Sequence, residues 1–199
     1  MKISLIEAQE HLERGSVIAA STDTVFGLLA KADCPSAIEE IYTIKGREKD
    51  KPFLVLLPGI EWVETYAKSI SPLAKELMAT FWPGPLTIIF EANLETVPSY
   101  LRREKKTIAL RVPSHHLLTP LLALTGPLVA PSLNRAGEKP LEKVEDIENF
   151  LSKEFPLLYD DMPVGKEPST LIEIKEEGFL IHREGAIPTN QLAKKLSPI

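Results

Sequence analysis

Two short pairs of polar residues are the features of this chain best suited to bind an anion. Lys45 and Arg47 flank a glycine at the end of a helical pattern, and Ser132 and Asn134 follow an apolar, strand-like run. A lysine supplies a mobile point charge, an arginine supplies a planar fork for two anionic oxygens, and Ser and Asn add neutral donors. Together the pairs predict a binding site for phosphate or carboxylate. Each pair alone also has an ordinary explanation, because cations favour the C-terminus of a helix and Ser and Asn favour turns.

The composition limits the classes of protein to which this chain can belong. Its 199 residues, 44% hydrophobic and 26% charged, suffice for a substantial core, and no boundary is marked within 1–199. A net charge of -5 gives no general attraction for nucleic acid. The single cysteine excludes an intrachain disulfide, and no apolar run approaches a membrane span. We expect one domain in the cytoplasm, neither exported nor inserted in a membrane.

The elements that must position these pairs follow from the apolar periodicity. Helical spacing occurs at 4–14, 35–45, 61–69, 72–81, 115–124 and 144–153. Strand-like runs occur at 17–20, 25–30, 53–57, 86–91, 108–112, 128–130 and 157–159. Because the run at 53–57 is continuously apolar between two prolines, it predicts a central buried strand. The alternation of helices and strands predicts an α/β fold.

The end of the chain predicts a β-hairpin. Two further strand-like runs, at 170–174 and 179–182, are separated by the turn-like composition of 175–178. Since a hairpin joins antiparallel strands, at least part of the sheet should be antiparallel. The sequence therefore predicts a sheet of mixed parallel and antiparallel pairing.

Several common catalytic motifs are missing from the sequence. It has no glycine-rich phosphate loop, no dinucleotide-binding turn, no nucleophile elbow and no zinc-binding helix motif. The adjacent His115 and His116 cannot face one metal from the same side of a helix, and we interpret them as a helix-start feature. We therefore expect no metal held by protein ligands.

Seven segments, taken in order, resemble the YrdC family of threonylcarbamoyl-AMP synthases over nearly the whole chain. They are Ser-Thr-Asp-Thr-Val-Phe-Gly-Leu at 21–28, Lys-Gly-Arg at 45–47, Trp-Pro-Gly-Pro-Leu-Thr at 82–87, Arg-Val-Pro-Ser-His at 111–115, Pro-Ser-Leu-Asn at 131–134, Pro-Ser-Thr at 168–170 and His-Arg-Glu-Gly-Ala-Ile at 182–187. Each segment alone is a weak signal, but seven in register are a strong one.

The resemblance implies a fold, an activity and a set of partners. The fold would be a twisted mixed sheet flanked by helices around an open central cavity. The activity would be that of a nucleotidyltransferase, which makes threonylcarbamoyl-adenylate and pyrophosphate from L-threonine, bicarbonate or CO2, and ATP. The product would serve t6A modification of adenosine 37 in tRNA, with other proteins of that pathway and, indirectly, tRNA as partners. Magnesium would arrive with ATP.

The same resemblance implies the catalytic roles. Lys45 and Arg47 would bridge the carbamate and the phosphates, and Ser132 and Asn134 would complete the binding site. Since no covalent enzyme intermediate is needed, catalysis would rest on holding two anions together and stabilising the charge that develops at phosphorus.

Five further residues match the family's substrate-binding positions. Thr22 and Thr24 would line the threonine pocket, and Arg111 would hold the threonine carboxylate or the acyl-phosphate region. Ser169 and Arg183 would reach the nucleotide phosphates. Each also has a plainer explanation: hydrogen bonds at a strand end for the two threonines, strand-forming propensity for Ser169, and ion pairs with solvent exposure for the arginines.

Some positions depart from the family pattern and keep two alternatives open. Ser21 and Glu48 stand where proline is usual, and Leu133, where alanine is usual, is expected to narrow the cleft. The segment 105–114 looks similar to the related YciO branch, but that branch tends to lack the full set of cationic and Ser-Asn residues, so we favour the synthase. The other alternative is a maturation factor that binds double-stranded or ribosomal RNA through basic residues at 102–106.

Overall fold

The computed structural model describes residues 1–160, 162, 165–175 and 178–193. Within these ranges the helices are α1 (Leu5–Glu13), α2 (Pro35–Lys45), α3 (Val63–Tyr66), α4 (Pro72–Phe81), α5 (Ser99–Arg102), α6 (Leu118–Thr125), α7 (Val144–Leu151) and α8 (Thr189–Ala193), with a 3-10 turn at Ile60–Trp62. The strands are β1 (Ile18–Ala20), β2 (Gly27–Lys31), β3 (Val55–Leu56), β4 (Leu86–Glu91), β5 (Thr107–Arg111), β6 (Leu128–Val129), β7 (Leu157–Leu158), β8 (Thr170–Lys175) and β9 (Gly178–Arg183).

The nine strands of the described chain form one mixed sheet in the order β7-β1-β2-β6-β3-β5-β4-β8-β9. Pairing is parallel for β1 with β7, β3 with β5 and β4 with β8, and antiparallel elsewhere. The predictions of a mixed α/β sheet and of an antiparallel β8–β9 pair are confirmed. The middle of the predicted 175–178 turn, residues 176 and 177, lies outside the described residues. Strand β3 is fifth of nine, so the prediction of a central buried strand is also confirmed.

Local sequence signals explain where the helices begin and end. Ser4 caps α1 through a reciprocal pair of hydrogen bonds with Glu7. Helix α2 begins with Pro35 and ends at Gly46, whose φ of 57° is readily adopted only by glycine. This ending places Lys45 in the last helical turn and Arg47 just beyond it.

The hydrophobic core covers both faces of the sheet. Along β2, Leu28 packs into one buried cluster and Leu29 into the other, as alternation along a strand requires. Helices α2 and α4 cover the first face, and α1 and α6 cover the second. Each fully buried Leu or Ile side chain contributes about 1.5–3 kcal/mol of transfer free energy, which makes the sheet a rigid base for the loops at its ends.

The helix boundaries depart from the sequence-based predictions in three places. The helix predicted over 61–69 is only one turn long, because Ala67 is extended and pairs with Ala92. The helix predicted from 115 begins at Leu118, and the one-turn α5 was not predicted. None of the described helices has the length and apolar content needed to cross a bilayer.

Candidate functional site

A cavity of about 160 Å³ is lined by residues from the end of α2, from strands β2, β3, β4, β5, β8 and β9, and from neighbouring loops. Eight of the nine predicted site residues line it, and Asn134 is the exception. The residues that line the cavity come from segments more than 150 positions apart in sequence, from Thr22 to Arg183. The fold therefore brings together what the sequence presented as separate motifs.

Lys45 joins the two predicted pairs directly. Its Nζ donates to the backbone oxygens of Ser132 at 2.5 Å and Asn134 at 2.8 Å, and to Asn134 Oδ1 at 3.2 Å. These acceptors use all three protons of the ammonium group. Burial lowers the pKa of Lys45 to about 8, and the nearby charge of Arg47 adds to that effect. Lys45 thus supplies a buried positive charge whose donors are already engaged.

Asn134 lies behind the cavity wall, and its side chain is fully engaged by protein groups. Its Oδ1 accepts from Ser132 Oγ at 2.6 Å as well as from Lys45, and its Nδ2 donates to the backbone oxygens of Arg135 and Glu138. Asn134 does not itself line the cavity, and its amide holds Ser132 and Lys45 in place; its contact with a ligand stays a prediction.

Of Lys45 and Arg47, Arg47 has fewer of its hydrogen-bond donors engaged by protein groups. Its Nε and Nη2 make only long hydrogen bonds, of 3.3 and 3.5 Å, to the backbone oxygens of Lys51 and Pro52. Its guanidinium also lies over the ring of Phe53, with Cζ 5.2 Å from the ring centroid. The Nη1 group therefore remains available to an anion in the cavity.

Arg111 is buried rather than part of a surface ion pair. Its Nε donates to Gly84 O at 2.9 Å, its Nη1 donates to Thr24 Oγ1 at 3.1 Å, and its Nη2 forms an ion pair with Asp23. Burial lowers the pKa of Arg111, while Asp23 opposes that change. Sequence reasoning did not single out Asp23, although a carboxylate between two threonines in a polar turn was a visible signal.

The turn that carries Thr22 and Thr24 is held by Thr22 itself. Thr22 Oγ1 donates to Val25 O at 2.6 Å and accepts from the backbone N–H groups of Thr24 and Val25. These bonds use the Thr22 hydroxyl proton. Thr24 Oγ1 lies 3.0 Å from Thr22 Oγ1 and accepts from Arg111 Nη1, so the Thr24 hydroxyl proton has Thr22 Oγ1 or a ligand as its acceptor.

Arg183 and Ser169 form a second cationic corner of the cavity. Arg183 donates through Nε and Nη2 to Ser169 O, at 3.1 and 2.8 Å, and through Nη2 to Ser169 Oγ. Thr87, which sequence reasoning did not select, shares a 2.7 Å hydrogen bond with Ser169 Oγ and also lines the cavity. Thr87 closes one of the seven quoted segments, so its position in that motif was the available signal.

The electrostatics of the cavity favour a polyanion. Burial lowers the pKa of Arg183, and the charges of Arg111 and Arg47 lower it further. The guanidinium groups of Arg111 and Arg47 therefore both repel that of Arg183. The lining residues within the described ranges include four cations and no carboxylate, and no cluster of three metal-ligating side chains is found in those ranges. An anionic ligand would relieve the repulsion among the cations.

Leu133, Trp82 and the histidine pair do not contribute to the cavity. The expectation that Leu133 narrows the cleft is wrong, since its side chain is fully buried in the core and does not line the cavity. Trp82 is buried and donates from Nε1 to Leu86 O at 2.6 Å, which is a structural contact. His116 pairs with Asp160 ahead of α6, and burial lowers the pKa of His115.

Comparisons with known proteins agree with this geometry. The family model Sua5_yciO_yrdC, described as "Telomere recombination", matches residues 10–185. The chain is 31% identical to the threonylcarbamoyl-AMP synthase of Bacillus subtilis (strain 168) over 98% of its own length and 57% of that protein. It thus spans a little over half of that longer relative.

Two solved structures have the same fold. The structure of P. abyssi Sua5 complexed with L-threonine superposes with a TM-score of 0.89 at 28% identity, covering 99% of this chain and 60% of that one. The crystal structure of E. coli YciO gives a TM-score of 0.84 at 27% identity, covering 94% of this chain and 92% of that one. With a family match over most of its length and a shared fold, the chain belongs to the Sua5/YciO/YrdC family.

Proposed function

We propose that this protein is a threonylcarbamoyl-AMP synthase, an ATP-dependent nucleotidyltransferase acting on L-threonine. The observation that carries the proposal is the convergence of Lys45, Arg47, Arg111 and Arg183 on one cavity whose described lining has no carboxylate. A carbamate and a triphosphate repel each other, and a ring of fixed cations is what brings two such anions together. The curated relative with this name and the threonine complex of a structural neighbour support the choice of substrate.

The proposed reaction needs no nucleophile from the protein. The threonine amine and CO2, supplied by bicarbonate, give a carbamate and a proton. A carbamate oxygen then attacks the α-phosphorus of ATP, forming one P–O bond while the bond to the bridging oxygen breaks and pyrophosphate leaves. Arg47 and Arg183 neutralise charge on the phosphates, Lys45 adds a fixed positive charge, and Ser169 supplies a neutral donor. Ser132, whose hydroxyl proton goes to Asn134 Oδ1, shapes the cavity wall beside Lys45.

We assign the other predicted residues by the donors that they retain. Thr24 offers its hydroxyl proton to threonine, whereas Thr22, Arg111 and Asn134 hold the cavity wall in shape. Magnesium is expected to reach the site bound to phosphate oxygens and water, since the described lining offers it no carboxylate. We further propose that 1–199 acts as one catalytic domain in the cytoplasm and supplies its product for t6A modification of tRNA.

Pyrophosphate release tests the proposal. Purified protein is incubated with ATP and magnesium, with and without L-threonine and bicarbonate, and serine and glycine serve as alternative amino acids. We expect release only when threonine and bicarbonate are both present, together with a threonylcarbamoyl-adenylate mass in the product. Release independent of threonine, or release with serine at the same rate, would contradict the proposed substrate.

A YciO-like role is the second candidate, and a specific observation favours it. Its fold superposes on E. coli YciO with a TM-score of 0.84 at 27% identity, nearly as well as on P. abyssi Sua5, and the segment 105–114 resembles that branch. Binding of ATP without release of pyrophosphate under any combination of substrates would support this second candidate. Such a result would also remove the assignment of Arg47 to phosphoryl transfer.

A further inference from the structure

Arg47 is the last member of a continuous column of stacked side chains. The Arg103 Cζ lies 4.1 Å from the centroid of the Tyr42 ring, and that ring stacks on Phe53 with the centroids 4.1 Å apart and the planes at 26°. The Arg47 guanidinium in turn lies over Phe53. Since Arg103 and Phe53 are equally close to the Tyr42 ring, they must occupy its opposite faces. We call these four side chains the Arg103 column.

The backbone around Arg103 is strained in a way that keeps it in this column. Arg103 and Glu104 adopt φ values of 50° and 60°, in the left-handed region that costs a residue with a side chain about 1–2 kcal/mol. The Arg103 side chain is only 13% exposed, and its Nη2 lies 2.5 Å from Glu39 of α2. A solvated loop arginine, or one that contacts an RNA backbone, needs neither the strain nor the burial.

The same column holds the loop that carries Arg47. The Tyr42 hydroxyl donates to Lys51 O at 2.7 Å, and Lys51 O is also the acceptor for Arg47 Nε. Because the hydrogen bonds of Arg47 itself are long, its orientation depends on Phe53 beneath it and on the carbonyl that Tyr42 fixes. Arg103, on the other face of Tyr42, prevents that ring from turning away.

We propose that Arg103, acting through Tyr42 and Phe53, is a positioning residue that holds Arg47 in the orientation in which it meets the nucleotide phosphates. The identity of the ligand in this statement rests on the proposed function, whereas the positioning of Arg47 does not. Arg103 is not among the residues that line the cavity, so its effect reaches a ligand through Phe53 and Arg47, which both line it.

The first test reads the position of Arg47 without any ligand. The 1H–15N signal of the Arg47 Nε–H group is compared among the wild type, Arg103→Gln, Tyr42→Leu and the matched control Arg102→Gln. Arg102 is next in the chain but donates to Val97 O and Lys105 O instead of stacking on Tyr42. We expect the Arg47 signal to shift in the first two variants and to stay in place in the control. An unshifted signal in both would overturn the proposal.

The second test is a double-mutant cycle on ATP binding in the presence of magnesium, measured by calorimetry. In the wild-type background, Arg103→Gln should weaken ATP binding about tenfold, the size of one lost hydrogen bond to a charged group. In an Arg47→Ala background the same change should have little further effect, because its route through Arg47 is gone. An equal loss in both backgrounds would show a merely structural role and contradict the proposal.

Two further comparisons keep the outcomes separate. Arg103→Lys retains the charge beside Glu39 but removes the planar stack, so it should behave as Arg103→Gln does and replaces that variant where the latter fails to fold. A wild-type protein that binds ATP with this coupling but releases no pyrophosphate would refute the proposed synthase and leave the positioning of Arg47 standing. If it binds no ATP, the Arg47 signal alone decides.

Discussion

Two groups of cations border the same cavity and differ in how far the protein has already used them. In Arg111, Nε donates to Gly84, Nη1 donates to Thr24 and Nη2 forms an ion pair with Asp23, whose carboxylate neutralises the charge. Arg47 and Arg183, by contrast, have backbone and hydroxyl acceptors and no carboxylate partner among the described residues. Residue type therefore does not reveal the role. The number of donors left unused separates the residues that build the cavity from those that bind in it.

Removing Arg111 should give the largest effect, and it should appear in stability. Arg111→Met leaves Asp23 with a buried, unpaired charge, and breaking one side of a buried ion pair costs about 3–5 kcal/mol of unfolding free energy. Urea unfolding measures this loss. The double variant with Asp23→Asn should recover part of it, since no lone charge remains. A loss below about 1 kcal/mol, the worth of an exposed pair, would move Arg111 into the group of free cations.

Removing Arg47 should give the opposite pattern, a loss of activity with little loss of stability. Arg47→Ala should lower pyrophosphate release about 100- to 1000-fold, as for the loss of one preorganised donor to a developing charge. Its unfolding free energy should change by no more than about 0.5 kcal/mol, because its hydrogen bonds are long.

The matched control for this prediction is Arg14→Ala, which removes an exposed arginine at the end of α1 whose partner is Glu10. It should alter neither pyrophosphate release nor stability measurably. Full residual activity in Arg47→Ala, with the control unchanged, would contradict the division of the cavity into two groups of cations.

The elements that position the site were largely readable from local sequence. Helix α4 begins at Pro72 after the capping residue Ser71 and ends at Phe81, and β4 covers Leu86–Glu91, both within the predicted bounds. Capping chemistry and apolar runs act within a few residues, so a single sequence contains them. The family resemblance added five further residues, Thr22, Thr24, Arg111, Ser169 and Arg183, which all line the cavity.

Local sequence did not predict which residues of the site face a ligand and which hold other residues in place. Lys45 and Asn134 are 89 positions apart, and no local pattern reports that one amide would use its whole hydrogen-bonding capacity on Lys45, Ser132 and two backbone oxygens. Arg103 was grouped with the exposed basic residues at 102–106, whereas a left-handed backbone turns it onto Tyr42. Such roles depend on tertiary contacts, which propensity and periodicity do not encode.

The smallest predicted effect concerns the charge of Lys45. Its three donors are engaged, but its charge has no carboxylate partner within the part of the chain that the structure describes, so it lies between the two groups. Its pKa of about 8 lies below the ordinary value of 10.5, chiefly through burial and then through Arg47. The ammonium is therefore lost above pH 8, and kcat/KM for ATP should fall there. The unfolded chain keeps that proton up to its higher pKa, so this group raises the unfolding free energy as the pH rises from about 8 to about 10.5. Activity and stability should thus move in opposite directions in that window.

In Arg47→Ala the titration of the Lys45 Cε signal, followed by 13C NMR, should shift to higher pH, because the nearby positive charge is removed. An unshifted titration would show that burial alone sets the pKa of Lys45.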